Sequence, residues 1–280
     1  MRAVQTVTTI LVLIAGILVG PLPAARARGI LSTSMEVELG RSVRDDILKE
    51  YEQWDDPADN ALVSDLASVI VPLAEQREGI EYEFYLIESE DINAFAAPGG
   101  FVFITTGLLD FIKRDPAMLG GVIAHEVSHV ARRHHRKAIE ESLWHNFGFA
   151  VLLHAFDIDE EWIEIAGAVA LTLIEQGHSR ENEYDADRQA VLMTYRAGWD
   201  PDSGIICFLR DIEKEYGSGN PLGDIGRCIA SHPDTDRRVY FAELYLEEVR
   251  SSETFTSQPL PVLQVVEEET PVVEKEPVDN

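Results

Sequence analysis

The residues of this 280-residue chain best equipped for chemistry are His125-Glu126-Val127-Ser128-His129. Two histidines four apart fall on one face of a helix, about 40° from each other around its axis. Both imidazoles can then reach one Zn²⁺ at ~2.0–2.1 Å. Glu126 sits one residue on, near enough to hydrogen-bond a water on the cation rather than ligate it. That is equipment for metal-assisted hydrolysis. The pentapeptide pattern arises by chance in roughly one chain of this length in a hundred, so its flanks matter. Leu119, Val122, Ile123, Ala124, Val127 and Val130 make the segment largely apolar. Two histidines and a glutamate buried there without partners would be unfavourable.

A catalytic zinc takes three protein ligands and keeps a fourth position for water. The stretch Ser179–Asp187 opens a second helix that supplies candidates. Glu183 and Asp187 are four apart and share a face. One can ligate the metal while the other accepts a hydrogen bond from a ligand histidine and fixes its tautomer.

These helices need a frame. Glu36–Trp54 has a helical apolar period, and Asp55-Asp56-Pro57 starts another helix that runs to about Ala74. Tyr82–Ile87 and Phe101–Thr105 read as strands, with Ala97–Gly100 as a turn before the second. From Asp115 onward the pattern is helical. Asp115-Pro116 is an N-cap followed by proline at the first helical position, and that helix is expected through about Glu141. The fold class is therefore α+β and mostly helical, with a small β-sheet beside the histidine-bearing helix. A strand near Asn93–Ala97 or Phe101–Ile104 could offer an edge to an extended substrate. His134 and His135, next to Arg132-Arg133, read as a solvated basic face. His145, His154 and His178 have no partner at ligand spacing and read as structural. Leu143–Ile174 reads as an apolar helical hairpin, interrupted by Asp157–Glu161, that packs as core or covers the cleft.

The chain resembles the HtpX/CAAX-prenyl-protease-like zinc metallopeptidases, a gluzincin family, and especially its exported periplasmic members. The resemblance rests on four segments in order: Asn93–Gly100, leading into Thr106-Gly107-Leu108-Leu109; His125–His129; Glu183 to Asp187; and Ser231–Val239. It implies a zincin-like domain, with His125, His129 and Glu183 as ligands of one zinc ion per chain. Glu126 then corresponds to the general base and Asp187 to the carboxylate behind a ligand. His232 and Arg238 correspond to late-motif residues near the site and are candidates to stabilise the oxyanion. His232 is also a candidate for the fourth zinc position, holding an enzyme latent. The implied function is a zinc-dependent endopeptidase acting on exported or misfolded envelope proteins. A zinc-dependent chaperone or binding protein with latent proteolysis is the alternative.

Residues 1–27 read as a secretory signal: Arg2, an apolar run of 13 residues from Thr8 to Gly20, and Ala25-Arg26-Ala27 as a cleavage site. The run is short of the ~20 residues a spanning helix needs. The expected location is periplasmic, with an uncleaved N-terminal anchor as the alternative. Residues 28–250 form the expected metallopeptidase domain. Residues 251–280, rich in Pro, Glu, Val and Thr, read as an acidic disordered tail. Cys207 and Cys228 are either one disulfide or two thiols. Fifty Asp and Glu against 23 Lys and Arg give a net charge of −27. Such a chain repels phosphate backbones, so nucleic acid is excluded as a partner. The resemblance implies polypeptide substrates, and the strand edge suggests that they are unfolded. Membrane contact is open, with no spanning helix expected in the mature chain. Oligomeric state is not readable.

Overall fold

The computed structural model describes residues 31–147, 160–216, 232 and 235–261. The expected signal segment, Cys228 and most of the final tail lie outside these residues. Cys207 is a half-buried free thiol.

Helix α1 (Thr33–Glu50) is capped by Ser32 and buries Leu39, Val43 and Ile47. It stops short of the expected Trp54. Residues 51–54 turn extended instead, because they bond to the first strand: Trp54 N–H donates to Leu86 C=O (2.9 Å) and Glu88 N–H to Glu52 C=O (2.8 Å). Helix α2 (Pro57–Ile70) starts where Asp56 accepts from the N–H groups of Ala58 and Asp59. Three further residues, Val71–Leu73, continue as a 3₁₀ turn.

Strands β1 (Glu83–Ile87), β2 (Ala94–Ala96) and β3 (Phe101–Thr105) form one sheet in the order β1-β3-β2. β3 pairs parallel with β1, with Tyr85 opposite Phe103, and antiparallel with β2, with Phe95 opposite Phe103. All five residues of β3 are buried. Its central position corrects the expectation that Phe101–Ile104 could serve as an edge; only β2 keeps that possibility. The turn Pro98–Gly100 joins the two strands. Gly100 has φ +107° there, and a Cβ would meet Glu81 C=O at 2.1 Å, so only glycine fits.

After the short helix α3 (Thr106–Phe111) comes α4 (Pro116–Ala131), capped by Asp115 as expected. Every residue from Leu119 to Ala131 is buried. Gly121 permits a close crossing, since a Cβ would lie 2.5 Å from the Ile205 backbone nitrogen. The expected single helix to Glu141 is in fact two. Arg133 adopts φ +62°, a left-handed conformation that ends one helix and redirects the next, α5 (His134–Phe147). Helices α6 (Glu160–Gln176) and α7 (Arg180–Arg196) follow, then a π turn (Asp202–Ile206), α8 (Cys207–Tyr216) and α9 (Thr235–Ser252).

Two apolar clusters hold this frame. One joins α2, α4, α7, α8 and α9 through residues such as Leu66, Ile123, Val191 and Leu246. The other joins α1, α5 and α6 to the sheet through Val43, Phe103, Leu143 and Ala170. A buried ion pair, Arg77 with Glu36, ties α1 to the C-terminal end of α4, because Arg77 also donates to Val130 C=O at 2.8 Å.

The expected domain limit at residue 250 falls inside α9, and the following residues 253–261 are placed on the domain. Gln258 N–H donates to Gly198 C=O (2.9 Å), and the Tyr195 hydroxyl donates to Glu253 C=O (3.1 Å). Phe255 packs on Tyr195 and Leu260 on the larger core. These two apolar residues anchor a stretch whose overall composition reads as disordered. Among the described residues no helix is long and apolar enough to cross a membrane.

Candidate metal centre

Helices α4 and α7 cross tightly, and their contact face is the site. α4 brings His125, Glu126 and His129; α7 brings Glu183 and Asp187, one turn apart. All five residues are at most 3% exposed. The ring nitrogens His125 Nε2 and His129 Nε2 lie 3.0 Å apart. Each is 3.4 Å from a different oxygen of Glu183. Ligand atoms held tetrahedrally at ~2.0–2.1 Å from one ion would be separated by about 3.3 Å. Ligand atoms of His125, His129, Glu183 and His232 all fall within 4.8 Å of one another. The sequence-predicted ligands are thus brought together, with His232 as a fourth.

The donor set fits a cation. Nitrogens and carboxylate oxygens converge in a buried space, and Glu183 Oε1 has no hydrogen-bond partner there. Such an orphaned acceptor is unfavourable unless a cation satisfies it.

The surrounding groups fix the ligands. Asp187 Oδ1 lies 2.9 Å from His125 Nδ1, on the side of the ring away from the cluster. Asp187, which the resemblance implied behind a ligand, thus stands where a carboxylate can orient that ring. Arg238, on α9, bonds Asp187 through Nε and Nη2, both at 2.7 Å. Its Nη1 is 3.0 Å from Glu183 and donates to His232 C=O at 3.4 Å. His232 lies with Nδ1 2.9 Å from Glu183 Oε2 and Nε2 3.6 Å from Glu126 Oε1.

These contacts set the electrostatics. Burial works against ionisation of Glu183, but His232 and Arg238 outweigh it and hold the carboxyl well below its usual range. Asp187 is likewise lowered, its burial outweighed by Arg238. Burial pulls His125 down, yet Asp187 and Glu183 together raise it to about 9. Glu126 goes the other way: burial raises its pKa, with His232 and His125 opposing. A carboxyl lifted in this way is better matched to proton transfer near neutral pH.

Three further histidines surround the centre. His134 and His135 are 2% and 5% exposed, not the expected solvated face. His134 Nδ1 lies 3.1 Å from His129 Nδ1. His178 stacks on His129 with ring centroids 3.8 Å apart. Burial keeps His134 neutral, its pKa lowered to about 4, and lowers His135 to about 3. On an unbroken helix a residue five after His129 would point about 140° away. Only the left-handed turn at Arg133 returns His134 to the ligand. No helical spacing signals that, so the sequence alone conceals it.

The edge of the sheet meets the same site. His232 Nε2 lies 3.3 Å from Ala94 C=O on β2. A cleft lined by Ala94, Val122, His125, Glu126, Ile205 and Phe208 runs beside it.

Comparison with known proteins gives the chain a family. Residues 57–244 match the family described as Peptidase family M48. The mitochondrial metalloendopeptidase OMA1 of Arabidopsis thaliana is 30% identical over 166 residues, 58% of this chain and 31% of that protein. The beta-barrel assembly-enhancing protease of Yersinia pestis is 29% identical over 210 residues, 71% of this chain and 40% of the relative. The protein of that name from Escherichia coli is 29% identical over 190 residues, 62% of this chain and 37% of its own length. The chain thus spans about a third to two fifths of these relatives' own length. The family match runs from α2 into α9 and takes in both helices that carry the convergent side chains. The chain belongs to peptidase family M48.

Proposed function

We propose that this chain is a zinc-dependent endopeptidase that cuts extended, unfolded polypeptides and is held latent by His232. The convergence of His125, His129 and Glu183 beside Glu126 carries the reading. Two imidazoles and a carboxylate are a zinc set that leaves a position for water. When bound there, zinc would lower the pKa of a water toward ~7 and polarise a peptide carbonyl.

The chain's own residues do the rest. Glu126 is placed to take a proton from the attacking water and return it to the leaving amine. Asp187 orients His125. Arg238 acts through Asp187 and Glu183, which its guanidinium binds, rather than on the oxyanion. β2 offers main-chain groups to a substrate strand at its outer edge, where Ala94 C=O now faces His232. Main-chain pairing recognises extension rather than sequence, which supports unfolded clients.

Latency rests on where His232 lies: against Glu183, near Glu126 and on the edge carbonyl, where both substrate and water must come. We infer an envelope location and envelope-protein clients. The support is the residue pattern of segment 1–27 together with the name of the beta-barrel assembly-enhancing relatives. The test is cleavage of unfolded casein by the purified full chain, with and without a chelator, beside a folded substrate. Chelator-sensitive cutting of casein in preference to the folded protein is expected, and His232→Ala should speed it. Equal cutting of folded and unfolded forms contradicts the edge-strand reading; chelator-resistant cutting contradicts the metal.

A further inference from the structure

We infer that His134 and Asp185 form a relay that fixes the tautomer of the metal ligand His129, making His134 a positioning residue of the centre. The inference rests on the metal-site reading above and goes beyond it. His129 has one ring nitrogen, Nε2, in the ligand cluster. Its other, Nδ1, lies 3.1 Å from His134 Nδ1. His134 Nε2 in turn lies 3.2 Å from Asp185 Oδ2, which also accepts from Arg132 Nε at 2.8 Å.

The protons along this line follow from the far end. Ionised Asp185 can only accept, so His134 Nε2 carries an N–H toward it. A neutral imidazole carries one N–H, and with that proton on Nε2, facing Asp185, its Nδ1 is left as an acceptor. The facing nitrogen, His129 Nδ1, must therefore be the donor. That leaves the His129 Nε2 lone pair pointing into the cluster, the form a metal requires. The two histidine ligands are thus oriented by different means: His125 directly by Asp187, and His129 by a carboxylate acting through an imidazole. His134 and Asp185 come from α5 and α7, so the relay also ties the helix after the Arg133 turn to the helix carrying Glu183.

The relay and simple packing predict different rankings of variants. His134→Phe keeps volume without an acceptor. His134→Asn loses volume but places an amide oxygen where Nδ1 was. The probe is zinc itself, its affinity for the full-length chain measured by competition with a chromophoric chelator. Removing an outer-shell partner weakens metal binding about 10–100-fold, so that loss is expected for His134→Phe, with His134→Asn within a few-fold of wild type. A second readout is the ring ¹⁵N spectrum of zinc-loaded Glu126→Gln protein, which should show His129 protonated at Nδ1 and coordinated through Nε2. Wild-type affinity in His134→Phe, or coordination of His129 through Nδ1, overturns the relay. Neither readout depends on peptide cleavage. If the peptidase reading alone fails, zinc binding and the His129 tautomer remain as stated.

Discussion

Arg238 shows how much one side chain organises. Its guanidinium spans Asp187 and Glu183, two buried carboxylates that would otherwise repel each other. Removing one partner from such a buried set typically costs about 3–5 kcal/mol, because a charge is left uncompensated. Arg238→Met should therefore lower the unfolding free energy of the metal-free protein by about that much, read from urea denaturation; an unchanged midpoint would contradict this placement. Spacing pairs His125 with His129 and Glu183 with Asp187, because helical period puts positions four apart on one face; the choice of Glu183 over Asp187 as ligand came only from the family resemblance. Arg238 was legible only through family resemblance, which did not foretell that its guanidinium bridges Asp187 and Glu183. His134, His135 and His178 were not legible. They reach His129 through a backbone reversal at Arg133 and through Gly177, which lies at φ +77°.

Elements succeed or fail on the same grounds. The two helices with an Asp-Pro start, α2 and α4, begin where that pair predicts, because an N-cap carboxylate and a proline at the first position act within one turn. Ends were harder to read, since they depend on distant partners: α1 gives up its last expected turn to pair residues 52–54 with the strand edge. The sheet's strand order, with β3 in the middle, is a tertiary outcome that no local period encodes. Two substitutions test the element level. Arg133→Gly relieves the left-handed backbone and should stabilise the chain by about 1 kcal/mol while leaving zinc affinity unchanged. Gly121→Ala sets a Cβ against the Ile205 backbone and should destabilise by about 1–3 kcal/mol. Thermal melts of both variants against wild type check the signs, and a stabilised Gly121→Ala would show that the α4 crossing is looser than described.

At the scale of the whole molecule, the acidity of the sequence has a local counterpart: several acids converge where a cation is expected, while most other acids among the described residues are exposed. The end of the domain lies later than composition suggested. A chain cut after Ser252 loses the contacts of Phe255, Leu260 and Gln258 and should be less stable by about 2 kcal/mol. A chain cut after residue 261 should melt as wild type does. Equal melting of the two truncations would return residues 253–261 to the tail.

The central claim is that the α4–α7 crossing holds a zinc ion and that Glu126 performs the proton transfer beside it. Glu126→Gln tests both at once. Metal content and casein cleavage should be measured on the same preparation of full-length protein. The expected result is one zinc per chain, as in wild type, with cleavage reduced about 10²–10⁴-fold. Cleavage by Glu126→Gln at the wild-type rate, with zinc in place, would contradict the account.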